Sequence, residues 1–371
     1  MYLDSASSEP LHPAAREALL AALDRGYADP RRLHASARDA RLILDNAREA
    51  VAGALGVRRD EVSFTPSGTD AVHRGLLGLL SGYTSLPSKS AHVITVAHPA
   101  VEHSSVLHAL AWRPDLRARP LRVHRDGRVD LDHLTQLGDH DLLALQSANH
   151  EVGTLQPVAQ AAAGGRPVFM DACASMGRLP LPDGWSVAAG SAHKWGGPAG
   201  VGVLLVRKGA PWRSPFPADD RVDERVSGFE NVPAVLAAAA ALQAVVAERD
   251  EVNARQHALI DRIRSRLSQI SDTEVVGDPV ERLPHLLTCS FLYVDGEAIV
   301  DALNRRGFEV ASGSACTAST LEPSHVLAAM GALTHGNIRL SLTRGATEAD
   351  VDAFLAVLAP TVAEIRKDAG M

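Results

Sequence analysis

The sequence predicts an α/β fold: a parallel sheet covered by helices, followed by a smaller second domain. Three observations point there. Short apolar runs alternate with longer helical patterns through most of the chain, the mark of strand–helix–strand crossovers. The run Val201-Gly202-Val203-Leu204-Leu205-Val206 is apolar throughout, as a strand buried on both faces must be. From about Asp250 onward the pattern changes to hairpin-like pieces and two shorter helices. A length of 371 residues is also long for a single core.

Taken in order, residues 14–23 and 40–55 carry alanine and leucine at helical spacing, and these two residue types favour helix. Residues 62–65 form a short strand, and Ser67-Gly68-Thr69 then opens a helix over 69–80. A strand over 92–96 precedes a helix over 104–110, and further strands are expected at 142–146, 168–171 and 201–206. The stretch 212–223, rich in proline and charge, reads as a loop. A long helical pattern follows over 233–267, with a break expected near Val252.

Composition narrows the partners. A formal net charge of -7 argues against nucleic acid and anionic membrane as main partners. No apolar stretch reaches the length of a membrane helix; the longest candidate, 232–246, is interrupted by Gln243. The start, Met1-Tyr2-Leu3-Asp4, lacks a basic region followed by an apolar one, so a signal peptide is not expected. Three widely spaced cysteines make neither a disulfide framework nor a metal-ligand pattern, and no metal is expected. A cytoplasmic protein is the expectation.

Lys194 stands in Ser191-Ala192-His193-Lys194-Trp195-Gly196-Gly197, and Asp171 ends an apolar strand upstream. A lysine among polar residues is ordinarily a solvated cation. Pyridoxal 5'-phosphate (PLP), however, needs a lysine amine to hold it covalently and a carboxylate to keep its ring nitrogen protonated. Ser191 and His193 could reach a phosphate, and the glycines let backbone approach closely. Gly68 and Thr69, at a helix start, supply amides and a hydroxyl for an anion, although the same residues also make ordinary caps. His103, in Glu102-His103-Ser104, could stack on a flat ring and move protons near neutral pH, with His98 and His108 as competing candidates. Asn149 lies just past a strand end, where ligands bind in open parallel sheets. Cys316 sits in a run of small residues, Ser312 to Ser319, and an accessible thiolate is a nucleophile. Cys289, among leucines and Phe291, reads as core, and Cys173 as packing near the pocket. Arg339 could fork onto a substrate carboxylate.

Together these residues resemble the cysteine desulfurases of the class V aminotransferase family, PLP enzymes of fold type I. The resemblance spans nearly the whole chain and rests on Tyr2-Leu3-Asp4, Ser67-Gly68-Thr69, Glu102-His103, Asn149-His150-Glu151-Val152-Gly153, Asp171-Ala172 and Ser191-Ala192-His193-Lys194. Its most specific piece is Ser312-Gly313-Ser314-Ala315-Cys316-Thr317 followed by Leu321-Glu322-Pro323-Ser324-His325, similar to the branch whose cysteine rides on a long mobile loop. The resemblance implies a large PLP-binding domain, residues 14–249, with a mainly parallel seven-stranded sheet. It also implies a smaller C-terminal α/β domain, 250–371, joined by the N-terminal segment 1–13. It implies conversion of L-cysteine to L-alanine, with Lys194, His103 and Cys316 catalytic. Gly68, Thr69, His103, Asn149, Asp171, Ser191, His193 and Lys194 would hold the cofactor, and Asn149 and Arg339 the substrate. A homodimer is expected, with a sulfur-acceptor protein as partner: an iron–sulfur scaffold, a tRNA-thiolation protein or a biosynthetic protein. The chain departs from the family pattern at Ala174, where a glutamine usually reaches the cofactor's phenolic oxygen. It departs again at Phe229, where a threonine serves the neighbouring subunit's phosphate, at His150, and at Pro217-Ala218-Asp219-Asp220-Arg221. Another PLP activity (C–S lyase, selenocysteine lyase or transaminase) or a non-catalytic sulfur-relay protein stays open at this point.

Overall fold

The structure, a computed structural model, describes residues 1–86, 93–217, 223–312 and 323–371. Seven strands build the larger sheet: β1 (Val62–Thr65), β2 (Thr95–Pro99), β3 (Arg117–Leu121), β4 (Leu142–Gln146), β5 (Val168–Asp171), β6 (Val187–Ser191) and β7 (Gly202–Val206). Their spatial order is β1-β7-β6-β5-β4-β2-β3. β7 runs antiparallel to both neighbours and every other pair is parallel, so all strands but β7 share one direction.

Helices cover both faces. Val168 and Met170 of β5 enter one core with Leu44 and Val51 of the helix Ala35–Leu55 and Leu242 of Val232–Ala247. Phe169, between them, enters the opposite core with Leu76 and Leu80 of the helix Gly68–Thr84 and Val106 of Ser104–Ala111. Successive strand side chains point to opposite faces, and both faces here are apolar. That is why these strands read as uninterrupted apolar runs.

A second, antiparallel sheet holds β8 (Thr273–Val276), β9 (Leu286–Phe291), β10 (Ala311–Ser312) and β11 (Asn337–Ser341) in the order β10-β11-β9-β8. Its core takes Ile260 and Ile263 from the helix Arg249–Leu267, Phe354 and Leu358 from Glu348–Asp368, and Leu3 from the N-terminus. The first residues run beside β11: Ser341 N donates to Leu3 O at 2.7 Å and Leu3 N to Glu309 O at 2.9 Å.

Several elements differ from the sequence expectation for identifiable reasons. β2 spans Thr95–Pro99 rather than 92–96, because it continues through His98, whose buried ring bonds Pro99 O through Nδ1 at 3.0 Å. β6, Val187-Ala188-Ala189-Gly190-Ser191, has little strand propensity. It is small because packing demands it: a Cβ on Gly190 would meet Met176 Sδ at 2.2 Å. β3 is a polar edge strand containing Pro120, the position where a sheet tolerates proline. The long helix breaks at Glu248 rather than Val252, and its halves, Val232–Ala247 and Arg249–Leu267, meet at 70°. Among the described residues, no single helix is long and apolar enough to cross a membrane.

Trp195 anchors the turn that carries Lys194. Its indole is fully buried and donates Nε1–H to Ala238 O at 3.0 Å. Trp195→Ala is expected to lower the unfolding free energy by about 3–5 kcal/mol, read from urea denaturation.

Candidate active site

The parallel strands all end at one edge of the larger sheet, and the segments leaving that edge build a single cavity of about 150 Å³. β1 delivers Ser67, Gly68 and Thr69; β2 leads to His103; β4 leads to Ala148 and His150; β5 ends in Asp171; β6 ends in Ser191 and turns to His193 and Lys194. An amine, a carboxylate, an imidazole and a helix start face one space.

The helix start is a cradle. Ser67 Oγ accepts the Asp70 N–H at 3.0 Å and Ser67 O accepts the Ala71 N–H at 3.0 Å. The Gly68 and Thr69 amides have no acceptor within the helix, which leaves them for an anion beside the positive end of the helix dipole. The backbone there touches the lysine turn. A Cβ on Gly68 would stand 2.5 Å from Ser191 Cβ, and one on Gly202 2.2 Å from Ser67 O, so both positions need glycine.

His103 caps the helix Ser104–Ala111. Its Nδ1 accepts the Ser105 N–H at 3.1 Å and lies 2.7 Å from Ser105 Oγ, so the ring proton belongs on Nε2. Burial pulls its pKa below the ordinary histidine value, with Lys194 pulling the same way and Asp171 opposing. His193, bonded to Ser191 Oγ at 3.2 Å, is lowered by burial and by Lys194. Asp171 Oδ1 accepts the Cys173 N–H at 2.9 Å, and the Cys173 thiol is held well above its ordinary pKa by burial and by that carboxylate. Cys173 is therefore not the thiolate of this site.

Asn149 is fully buried and is absent from the cavity wall. Its Oδ1 accepts the Glu151 and Val152 amides at 2.9 and 2.8 Å, and its Nδ2 donates to Val101 O at 3.0 Å. The structure thus places it as the tie between the 149–153 turn and the approach to His103. His150 reaches the cavity instead, edge-on to His103 with ring centroids 4.8 Å apart. Arg339, in the centre of the small sheet, gives Nη1–H to His150 O at 3.1 Å and Nη2–H to Asp4 Oδ1 at 2.8 Å; its buried Nε has no partner among the described residues. Cys316 lies outside the described residues. The segment 313–322 starts from β10, where Ala311 pairs with Arg339, and ends before Ser324 and His325. His325 Nε2 bonds Glu102 O at 2.9 Å.

Sequence reasoning missed Ser105 and the two buried acids. A Ser two residues after a His at a helix start was the available signal for the first. Glu102 Oε1 accepts the Gln146 N–H at 2.8 Å, and burial pushes its pKa well above the carboxylate range. Glu151 is pushed up to about 7, mainly by burial. No spacing rule announces a neutral buried glutamic acid.

The residues fit PLP. Lys194 supplies the amine, Asp171 the carboxylate and His103 a flat wall, and the Gly68 and Thr69 amides beside Ser191 offer donors for a phosphate at the helix start. Comparison with known proteins agrees. Residues 1–354 match the family described as aminotransferase class-V. The IscS-like cysteine desulfurase of Mycobacterium tuberculosis is 37% identical, over 99% of this chain and 98% of its own length. Cysteine desulfurase IscS of Dictyoglomus turgidum is 33% identical, over 99% and 95%. Among solved structures, a NifS-like protein superposes with a TM-score of 0.88 at 27% identity, covering 98% of this chain and 99% of that one. The chain belongs to the class V aminotransferase family, whose enzymes depend on PLP. Within that family it is a cysteine desulfurase.

Two outcomes are expected here. Gly68→Ala should keep the far-UV circular dichroism yet weaken PLP binding at least about tenfold, measured by titrating the cofactor-free protein, since the cradle loses its shape. For Glu151, the unfolded chain ionises near 4.5 and the fold holds the proton to about 7, so the folded state binds more protons between those values and stability falls as pH rises. Glu151→Gln removes that loss. Its stability relative to the unmodified chain should grow by about 3 kcal/mol from pH 4.5 to pH 8, read by urea unfolding at both pH values.

Proposed function

We propose that the chain converts L-cysteine to L-alanine and carries the sulfur away as a persulfide on Cys316, for transfer to an acceptor protein. One observation carries the reading: the Lys194 amine, the Asp171 carboxylate, the His103 ring and the Gly68 and Thr69 amides share one cavity. Bound there, PLP supplies the electron sink that makes an amino acid's α proton acidic.

The chain's own residues do the rest. Lys194 holds the cofactor covalently and, once released, takes the α proton as a base. Asp171 keeps the ring nitrogen protonated. Gly68, Thr69, Ser191 and His193 hold the phosphate. His103 covers the ring and presents its Nε2 on that side; burial lowers its pKa and favours the neutral ring, whose Nε2–H is a hydrogen-bond donor there. Arg339, aligned by Asp4 and by the 149–153 turn that Asn149 ties down, orients the substrate carboxylate through the edge bearing its free Nε.

Cys316 acts as a thiolate on the substrate sulfur. A sulfur–sulfur bond forms as the carbon–sulfur bond breaks, and the electron pair stays with carbon, which takes a proton and leaves in alanine. Sulfur is oxidised and carbon reduced, so no outside oxidant is needed. The same demand for a thiolate and an open path governs thiol–disulfide exchange. The placement of the described residues Ala311 beside Arg339 and His325 beside Glu102 supports this role.

We also read the chain as a homodimer divided into 14–249 and 250–371, with 1–13 joined to the latter. Leu20, Tyr27, Leu33 and Leu42 stand exposed near the N-terminus, as an apolar contact surface for a second copy would. The backbone bonds of Leu3 to Glu309 and Ser341 support the placement of the first residues.

Cys316→Ala is expected to retain PLP and its visible absorption while alanine and sulfide formation from L-cysteine both fall to background. Undiminished sulfide from that variant would remove Cys316 from the mechanism.

A further inference from the structure

Behind the cofactor cavity lies a second, much smaller one, lined among others by His150, Ala174, Arg178, Lys194 and His285. His150, Ala174 and Lys194 line both cavities. The smaller space has about 10 Å³ open to the centre of a water molecule, room for one.

Its walls carry polar atoms without partners. Arg178 Nη1, His285 Nδ1 and His150 Nδ1 are all buried and bond to nothing among the described residues. Buried polar atoms are usually paired, so three unpaired nitrogens on residues that line one small void need an account. Charge does not call for an ion. Arg178 already gives Nη2–H to Glu9 at 2.5 Å, and burial together with nearby cations holds His150 and His285 far below the ordinary histidine pKa, hence neutral.

We propose that this cavity is a binding site for one ordered water, held by Arg178, His285 and His150, and that the small side chain of Ala174 keeps the site open beside Lys194. A single water satisfies all three atoms. Its oxygen accepts the Arg178 Nη1–H, and its two hydrogens go to the Nδ1 lone pairs of the neutral rings. Both rings then carry their proton on Nε2. His150, which also lines the cofactor cavity, becomes a fixed N–H donor there and stands as a positioning residue for bound PLP. This inference rests on the reading of the larger cavity as the PLP site.

Two matched variants test it. Glutamine and methionine at position 174 have nearly the same volume, and both fill the smaller cavity, but only glutamine brings polar atoms. Ala174→Gln is expected to bind PLP within about twofold of the unmodified chain, and Ala174→Met about tenfold more weakly, by titration of the cofactor-free proteins. Equal affinities for the two would overturn the proposal. A crystal structure of the unmodified chain is the second arm, and it stands even if a variant fails to fold: density for one water touching Arg178, His285 and His150 is expected, and an empty cavity overturns the site. Failure of the unmodified chain to bind PLP would sink the cofactor reading instead, while the cofactor-free crystal still decides the water.

Discussion

The site depends on one close approach of backbone to backbone. The start of the helix Gly68–Thr84 lies against Ser191 on one side and against Gly202 on the other, at distances that exclude even a methyl group. β7, the one reversed strand, makes this possible: it runs between β1 and β6 and brings Gly202 level with Thr65 and Ser191. The amides that cradle an anion and the turn that carries the lysine are therefore parts of one rigid corner. Trp195, buried behind the turn, fixes it from the other side.

The N-terminal residues close the arrangement from the second sheet. Glu9 N–H bonds His193 O at 2.8 Å, and the Glu9 carboxylate pairs with Arg178. Asp4 holds Arg339, whose other nitrogen holds His150 O. Removing one partner from a buried ion pair leaves an uncompensated charge, which costs far more than the pair contributes. These pairs tie the N-terminal residues and the small sheet's arginine to segments that leave the large sheet, the 192–195 turn through Glu9 and the 149–153 turn through Arg339.

Much of this was legible in the sequence, for stated reasons. β1, β4 and β5 match their expected spans residue for residue, and in β4 and β5 the reason is that strands buried on both faces spell themselves as largely apolar runs. That Asp171, Lys194, Gly68 and His103 would face one space was legible because each ends or follows a strand of the larger sheet. β6 was hidden because its alanines and glycine answer to packing by Met176 and the helix above, not to propensity. Asn149 was readable as a site residue by motif, yet its amide answers first to the turn it holds. His150 could be noted as a departure, but its contact with His103 and its unpaired nitrogen exist only in three dimensions.

The electrostatic design follows from burial. Glu102 and Glu151 are driven toward their protonated forms and His103, His150 and His193 toward their neutral ones. The walls around Lys194 and Asp171 thus carry dipoles and protons but little net charge of their own. In such a medium a fixed carboxylate acts on a nearby protonated nitrogen with much less screening than in water. Neutral histidines can also accept a proton or donate a hydrogen bond without first losing a proton to solvent. A desulfurase needs both properties in one place: a strong field at the ring nitrogen, to hold charge drawn from the substrate carbon, and uncharged bases beside it. A site rich in exposed charges would weaken the first and protonate the second.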